Sequence, residues 1–285
     1  MKLSVFYLRR MGRALMHGKY TVCLGGMTVL LVFSLAFSTL EQSFLNTNLD
    51  LDGKTILTAL LIAVLSLAVT SPAQVGVRSL FGDIANQREA KLAHVFQWYG
   101  DGKRLNRSIV LMLLQSLLFL AAAVVFFGLV FGGAYAIHPE WFAGLTSNNI
   151  FAVVDALTTV YTLALVALVP TYLVVVPFLP APYLLAEDPE KKPLVCLRES
   201  RRAIRGFYWK YVGLQLLSFL QVIAYAFLAS IVAVLFSGGD ITGATTVASW
   251  ILLLVMYFNI LPHLGISTVL FLNDARAHQG QSGAE

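Results

Sequence analysis

Six apolar stretches, each free of Asp, Glu, Lys and Arg, organise the chain: Tyr20 to Leu40, Thr55 to Val77, Ser108 to Pro139, Ala156 to Ala186, Tyr211 to Gly239 and Ile241 to Asn273. A helix rises about 1.5 Å per residue, so about 20 residues cross a hydrocarbon core of ~30 Å. The first two stretches fit one span each, and each of the longer four holds a span with an interfacial turn or a tilt. None alternates apolar and polar positions in the short period-two runs of a membrane barrel. The pattern predicts an all-α polytopic membrane bundle, one integral membrane domain over 1–285, with six transmembrane helices. These are placed at about 20–40, 55–77, 108–132, 156–178, 211–236 and 247–270.

Between the spans the polar positions recur with helical period. At about 100° per residue, Arg198, Arg201, Arg202 and Arg205 fall on one arc, opposite Cys196, Leu197, Ala203, Ile204, Phe207 and Tyr208. That is the pattern of an amphipathic helix lying in a membrane interface. Lys2, Arg9, Arg10 and Arg13 oppose Leu3, Tyr7, Met11 and Leu15 in the same way. Phe81, Ile84, Leu92, Val95, Phe96 and Tyr99 share a third face, with Arg88 inside it as a snorkelling cation. Interfacial helices are therefore expected over about 2–17, 81–99 and 190–207. Each precedes an outward span and a returning one, and each returning span contains a proline: Pro72, Pro177 or Pro262. Glycine and lysine end each surface segment, at Gly18-Lys19, Gly102-Lys103 and Gly206 with Lys210. The chain thus reads as three pseudo-repeats of a surface helix plus two spans.

Charge gives the pattern a direction. Of the 20 Lys and Arg residues, all but Lys54 lie in the amino-terminal segment, the second-to-third or fourth-to-fifth loop, or the tail. The positive-inside rule then places both termini in the cytoplasm. The phospholipid bilayer, and the anionic lipids of its cytoplasmic face above all, are the expected partners. The first apolar stretch is too long for a signal h-region and follows a long basic segment, so it is expected to remain as a span.

Composition removes whole classes of function. Hydrophobic residues make up 58% of the 285 and charged ones 12%, with mean hydropathy +0.76. A soluble domain carries about 25% charged residues, so a soluble enzyme is excluded, and a disordered chain would be far more polar. The two cysteines, Cys23 and Cys196, form no framework and read as packed thiols. The five histidines are scattered, and no HExxH, GxSxG, P-loop or zinc-type cysteine pair occurs. No metal site, cofactor or enzymatic activity is expected. Nucleic acid is not an expected partner either, because the cations follow the membrane face.

The strongest binding candidates are Arg198, Arg201, Arg202 and Arg205 with Lys210, as a lipid- or anion-binding face. Pro177, followed by Pro180 and Pro182, marks a segment that cannot be a regular helix; broken spans line substrate paths in transporters, but the favoured expectation is that Pro180 and Pro182 lie past the span, at the cytoplasmic surface. Polar groups within spans include Gln74, Gln115, Gln215, Gln221, Asn259 and His263; Asn259 and His263, four residues apart beside Pro262, and Gln115 and Gln215 either line such a path or pack helices. Gly128 and Gly132 form a small-xxx-small pair expected to pack against another helix.

A local motif adds to this. Pro-Ala-Pro-Tyr-Leu-Leu-Ala-Glu-Asp-Pro at 180–189 is followed by Arg198-Glu199-Ser200, Gly206, Trp209-Lys210 and Ser218-Phe219. With Ala14-Leu15 and Gly18-Lys19-Tyr20 near the start, it resembles a bacterial multi-pass membrane family catalogued as domain of unknown function 975. The chain departs from that pattern at Arg205-Gly206-Phe207, where the family tends to have Lys-Gly-His. The resemblance implies an inner-membrane protein and no particular activity.

The expected function is therefore that of a non-enzymatic accessory or scaffold of a transport or envelope system, engaging lipid, a membrane-protein partner or a second copy of itself. The alternative is a small transporter or permease whose path runs along the proline-broken spans. The orientation has a direct check. Alkaline phosphatase, active only outside the cytoplasm, is expected to be active when fused after Gly144 and inactive when fused after Arg276; the reverse would invert the topology.

Overall fold

A computed structural model describes residues 3–47, 53–144, 149–236 and 241–281. The helices follow from the apolar runs and are bounded where the local chemistry stops them. Ser4 opens α1 (Val5–Met16), its Oγ accepting the Tyr7 N–H at 3.2 Å, one of the donors a helix start leaves unpaired. Gly18 follows at φ +85°, a conformation cheap only for glycine, and turns the chain into α2 (Tyr20–Thr47). α3 (Gly53–Ala85) returns and continues through Pro72. Then come the four-residue α4 (Ala93–Phe96), the long α5 (Gly102–Ile137) and the short α6 (Glu140–Ala143). α7 (Ile150–Val175) passes into a tight 3-10 turn at Val176–Phe178 and then α8 (Ala181–Glu187). The last part is α9 (Pro193–Arg205), α10 (Tyr208–Phe236), α11 (Ile241–Val255), a wide π turn at Met256–Ile260 and α12 (Leu261–Gln281).

Six helical segments are long and apolar enough to cross a membrane: Tyr20–Phe44, Thr55–Ala85, Gly102–Ile137, Ile150–Glu187, Tyr208–Leu235 and Gly243–His278. The protein is all-α among the described residues, a multi-pass membrane architecture with the expected number of spans. Most segments run past the stretches free of charge, because helical hydrogen bonding continues into the polar flanks.

The described residues form two compact units. One runs from Leu113 to Leu179 and contains most of α5, α6 and α7. Within it Phe127 stacks on Phe131 with centroids 5.9 Å apart, and Phe142 packs on the Phe131 ring. Gly128 and Gly132, expected to mark a close helix contact, face open space: a Cβ at either would meet no atom within 4 Å.

The other unit joins the chain up to Met112 with the chain from Pro180 onward. Here α3 and α12 cross at Gly265, where an added Cβ would strike the Phe81 ring. α1 crosses α12 at Gly12, where a Cβ would sit 2.8 Å from the Ser267 Oγ. That close approach sets the rotation of α1. Its buried stripe is Leu8, Gly12 and Met16, one position on from the expected arc, and Tyr7 is exposed. α9 buries the expected Cys196, Leu197, Ala203 and Ile204, and they pack on protein, chiefly α8 and α12.

The middle surface segment differs from its expectation as one helix over 81–99. Phe81 and Ile84 belong to the buried end of α3, which stops at Ala85. Gln87 then takes φ 56°, a turn that breaks the helical run, and α4 begins only at Ala93. The backbone of Val95 lies directly against Gly76, where any side chain would collide, so α4 is pulled back onto α3. The order of surface helix, outward span and returning span still recurs three times, with the middle surface helix shortened.

The α3–α12 crossing is testable. Gly265→Leu is expected to lower stability by about 1–3 kcal/mol by overpacking against Phe81, read as a fall in Tm of the detergent-solubilised protein. Gly128→Leu, facing open space, is expected to leave Tm within the ~0.5 kcal/mol of a neutral surface change.

Candidate functional site

The basic residues singled out in the sequence separate into two environments. Arg198, Arg201, Arg202 and Arg205 are all exposed along α9, while Cys196, Leu197, Ser200, Ala203 and Ile204 beneath them are buried. The cationic face is therefore carried on a helix whose other side is fixed. Lys191 pairs with Glu199 at 2.9 Å beside it. Burial pushes the Cys196 thiol up to about 11, so it stays protonated and unreactive near neutral pH.

Lys210 is turned inward. Its Nζ lies 2.6 Å from the Asp274 Oδ2, in a pair whose side chains are 16% and 7% exposed, and it sits over the rings of Phe207 and Phe271 at 5.7 and 5.8 Å. This ion pair joins the start of α10 to the far end of α12. Arg9 on α1 likewise donates to the Gln221 Oε1 of α10, and burial first, then Arg13, lower its pKa.

Three of the polar groups expected within the spans find partners. Gln115 Nε2 donates to the Phe178 carbonyl at 2.5 Å. In a regular helix that carbonyl would accept the N–H of residue 182, which is Pro182 and has none. Pro177 lies in the 3-10 turn beside it. Asn259 Nδ2 donates to the Tyr225 hydroxyl at 3.1 Å, and Gln215 Nε2 to the Tyr211 hydroxyl at 2.8 Å. His263 Nδ1 and Ser267 Oγ, one turn apart on α12, are buried without a hydrogen-bond partner among the described residues. Pro177 and Gln115 thus meet in one unit, while Asn259, His263 and Gln215 belong to the other.

The same unit contains a cleft that the sequence did not mark, between the ends of α3, α8 and α12 and the turn after α3. Its volume is about 70 Å³, and Arg78, Arg88 and Arg276 line it together with Tyr183, Asn86 and Asn273. Both carboxylates on its wall are engaged. Asp83 Oδ2 lies 2.7 Å from the Nδ1 of His94, and Arg276 donates to both oxygens of Glu187 at 2.9 and 2.6 Å. Arg78, only partly exposed, has a long 3.4 Å contact to Gln74 Oε1 and lies 5.6 Å from the centre of the Tyr183 ring. Neither Arg78 nor Arg88 has a carboxylate within ion-pair distance among the described residues. Asn273 Nδ2 donates to Asn86 Oδ1 at 2.9 Å across the rim. One signal was present in the sequence: Arg78 follows the second apolar stretch directly, with Leu80, Phe81 and Ile84 beyond it.

No group of three or more His, Cys, Asp and Glu side chains able to hold a metal ion occurs among the described residues. The family model described as "Protein of unknown function (DUF975)" matches residues 4–277, nearly the whole chain. No curated protein and no solved structure matches the sequence.

The buried ion pair yields a double-mutant test. Lys210→Met leaves Asp274 buried without its cation and is expected to cost about 3–5 kcal/mol, whereas replacing both partners by Met and Leu recovers most of that loss. Thermal unfolding of the three variants in one detergent checks it; equal losses for the single and double changes would deny the pairing an energetic role.

Proposed function

The chain belongs to the DUF975 family, and from that premise we propose that it is a non-enzymatic multi-pass protein of the bacterial cytoplasmic membrane that gathers anionic lipid at its cytoplasmic surface. It serves there as an accessory or scaffold of a transport or envelope system, with both termini in the cytoplasm. The observation that carries this reading is the outward cationic face of α9, four arginines exposed on a helix whose opposite face is buried in protein. A cation near an anionic leaflet contributes about 1 kcal/mol, and a rigid row of them loses little side-chain support on binding. The charge distribution agrees, since Lys54 alone of the 20 basic residues lies on the opposite side of the spans.

Transport along the proline-broken spans has less support. The carbonyl of Phe178 at one break is closed by Gln115. At the other, Tyr20 Oη donates to the Phe258 carbonyl at 3.0 Å, the group that Pro262 leaves unpaired. Such capping favours packed spans over a wet path.

Full-length protein in nanodiscs of mixed phosphatidylglycerol and phosphatidylcholine tests the proposal, with the lipid retained on extraction measured by mass spectrometry. The variant with Arg198, Arg201, Arg202 and Arg205 all changed to Gln is expected to lose about tenfold or more of its phosphatidylglycerol preference, a conservative share of about 1 kcal/mol per charge. An unchanged preference in that variant defeats it.

A further inference from the structure

We propose that the cleft around Arg78 is a binding site for a single phosphate group, separate from the arginine face of α9. Its chemistry is that of an anion site already assembled. Asp83 is in hydrogen-bond contact with His94 and Glu187 is paired with Arg276, so both carboxylates are engaged within the wall. The guanidinium groups of Arg78 and Arg88 have no carboxylate partner among the described residues. Arg78 is the sharper case. It is only partly exposed, held against Tyr183 with a side-chain hydrogen bond there, and its other contact, to Gln74, is long, at 3.4 Å. A guanidinium carries five donors in a fixed fork, and a half-buried one with so few acceptors is set to receive an oxyanion.

Size and donor number select the class of ligand. A volume of about 70 Å³ is far below the roughly 300 Å³ at which pockets for drug-sized ligands begin, so a small ion or one headgroup fits and a nucleotide does not. Three guanidinium groups and two side-chain amides offer more donors than the two oxygens of a carboxylate can accept. The four oxygens of a phosphate match them, and paired N–H···O contacts to phosphate are what arginine forms best. Asn86 and Asn273 already bond to each other across the rim and hold two amide groups at the mouth.

Position also bears on the source of the phosphate. Arg78 is the first charged residue after the apolar run Thr55 to Val77, and the cleft is built where α3 ends. That is the depth of lipid headgroups at a membrane surface. A lipid phosphate reaches the cleft from the bilayer, and free phosphate reaches it from water. The bonds made are the same.

The experiment uses full-length protein in a neutral detergent, titrated in parallel with inorganic phosphate and with dihexanoyl phosphatidylglycerol while intrinsic fluorescence or heat is followed. Wild-type protein is expected to bind at least one of them with sub-millimolar Kd. Arg78→Gln is expected to weaken that binding tenfold or more, and Arg88→Gln, an exposed change that spares the fold, about threefold. The variant with all four α9 arginines replaced is expected to stay within twofold, so failure of the lipid proposal for α9 and failure of this one read out separately. Phosphatidylglycerol binding that millimolar phosphate does not displace identifies a headgroup site; binding of phosphate alone identifies a free-anion site. No binding of either probe by the wild type overturns the proposal. So does unchanged affinity in Arg78→Gln or, if that variant shows no melting transition, in Arg88→Gln.

Discussion

A peptide carbonyl with no donor is costly in an apolar medium, and prolines in three returning spans create that problem repeatedly. Each proline removes the N–H that would have closed a turn of helix. At two of the breaks a side chain from elsewhere in the sequence supplies the donor. Tyr20 reaches the carbonyl of Phe258 that Pro262 leaves open. Gln115 reaches that of Phe178, left open by Pro182. Near Pro72, Tyr99 Oη donates at 2.5 Å to the carbonyl of Val69, one residue beyond the group the proline frees. These bonds tie the start of one segment to the bend of another, so the breaks become points of attachment. The widened turn at Met256–Ile260, just before Pro262, is the same constraint expressed in the backbone.

Attachment of the spans in turn decides what the surface helices can do. α1 and α9 have apolar stripes that could have lain in lipid, yet both stripes are buried against α12 and its neighbours. Gly12 and Gly265 make this geometry accessible, since a side chain at either would hold α12 away. Lys210 and Asp274 then lock the start of α10 to the end of α12 with a pair almost closed to solvent. Pairs of this kind contribute little net stability compared with apolar packing, but breaking one is expensive, which makes it a register device. The arginines of α9 stay exposed on its outer side, and in the cleft Arg78 and Arg88 have no carboxylate partner among the described residues.

Much of this was legible in the residues. Span number followed from apolar runs without charge, because burying even one unpaired charge in hydrocarbon outweighs any local preference. The two faces of α9 followed from its period, and the burial of Cys23 and Cys196 from the usual behaviour of the thiol. Tertiary approach was what periodicity could not supply. The buried arc of α1 lies one position from the expected one because Gly12 dictates which face meets Ser267. The segment 81–99 is broken because Gly76, which lies before it on α3, offers Val95 a place to pack. Lys210 was grouped with the arginines of α9, its neighbours in sequence, but its partner Asp274 lies 64 residues on. Small residues that admit a neighbour and charges whose counter-ion is distant are both silent in a local pattern.

The cleft shows the same limit from the other side. Arg78 and Arg88 each read as a cation at a membrane edge, where snorkelling is the ordinary outcome. What distinguishes Arg78 is not its own sequence context but the company that folding brings: Tyr183 from α8, Arg276 and Asn273 from α12, Asn86 from the turn. Two carboxylates arrive with them, and had either been free it would have neutralised Arg78 and closed the matter. Instead His94 lies against one and Arg276 against the other. The same fold that joins Lys210 to a distant carboxylate leaves Arg78 with the Tyr183 side chain and a long contact to Gln74, and with no carboxylate among the described residues. A half-buried guanidinium beside two carboxylates that are engaged elsewhere has the properties of a place kept for a ligand.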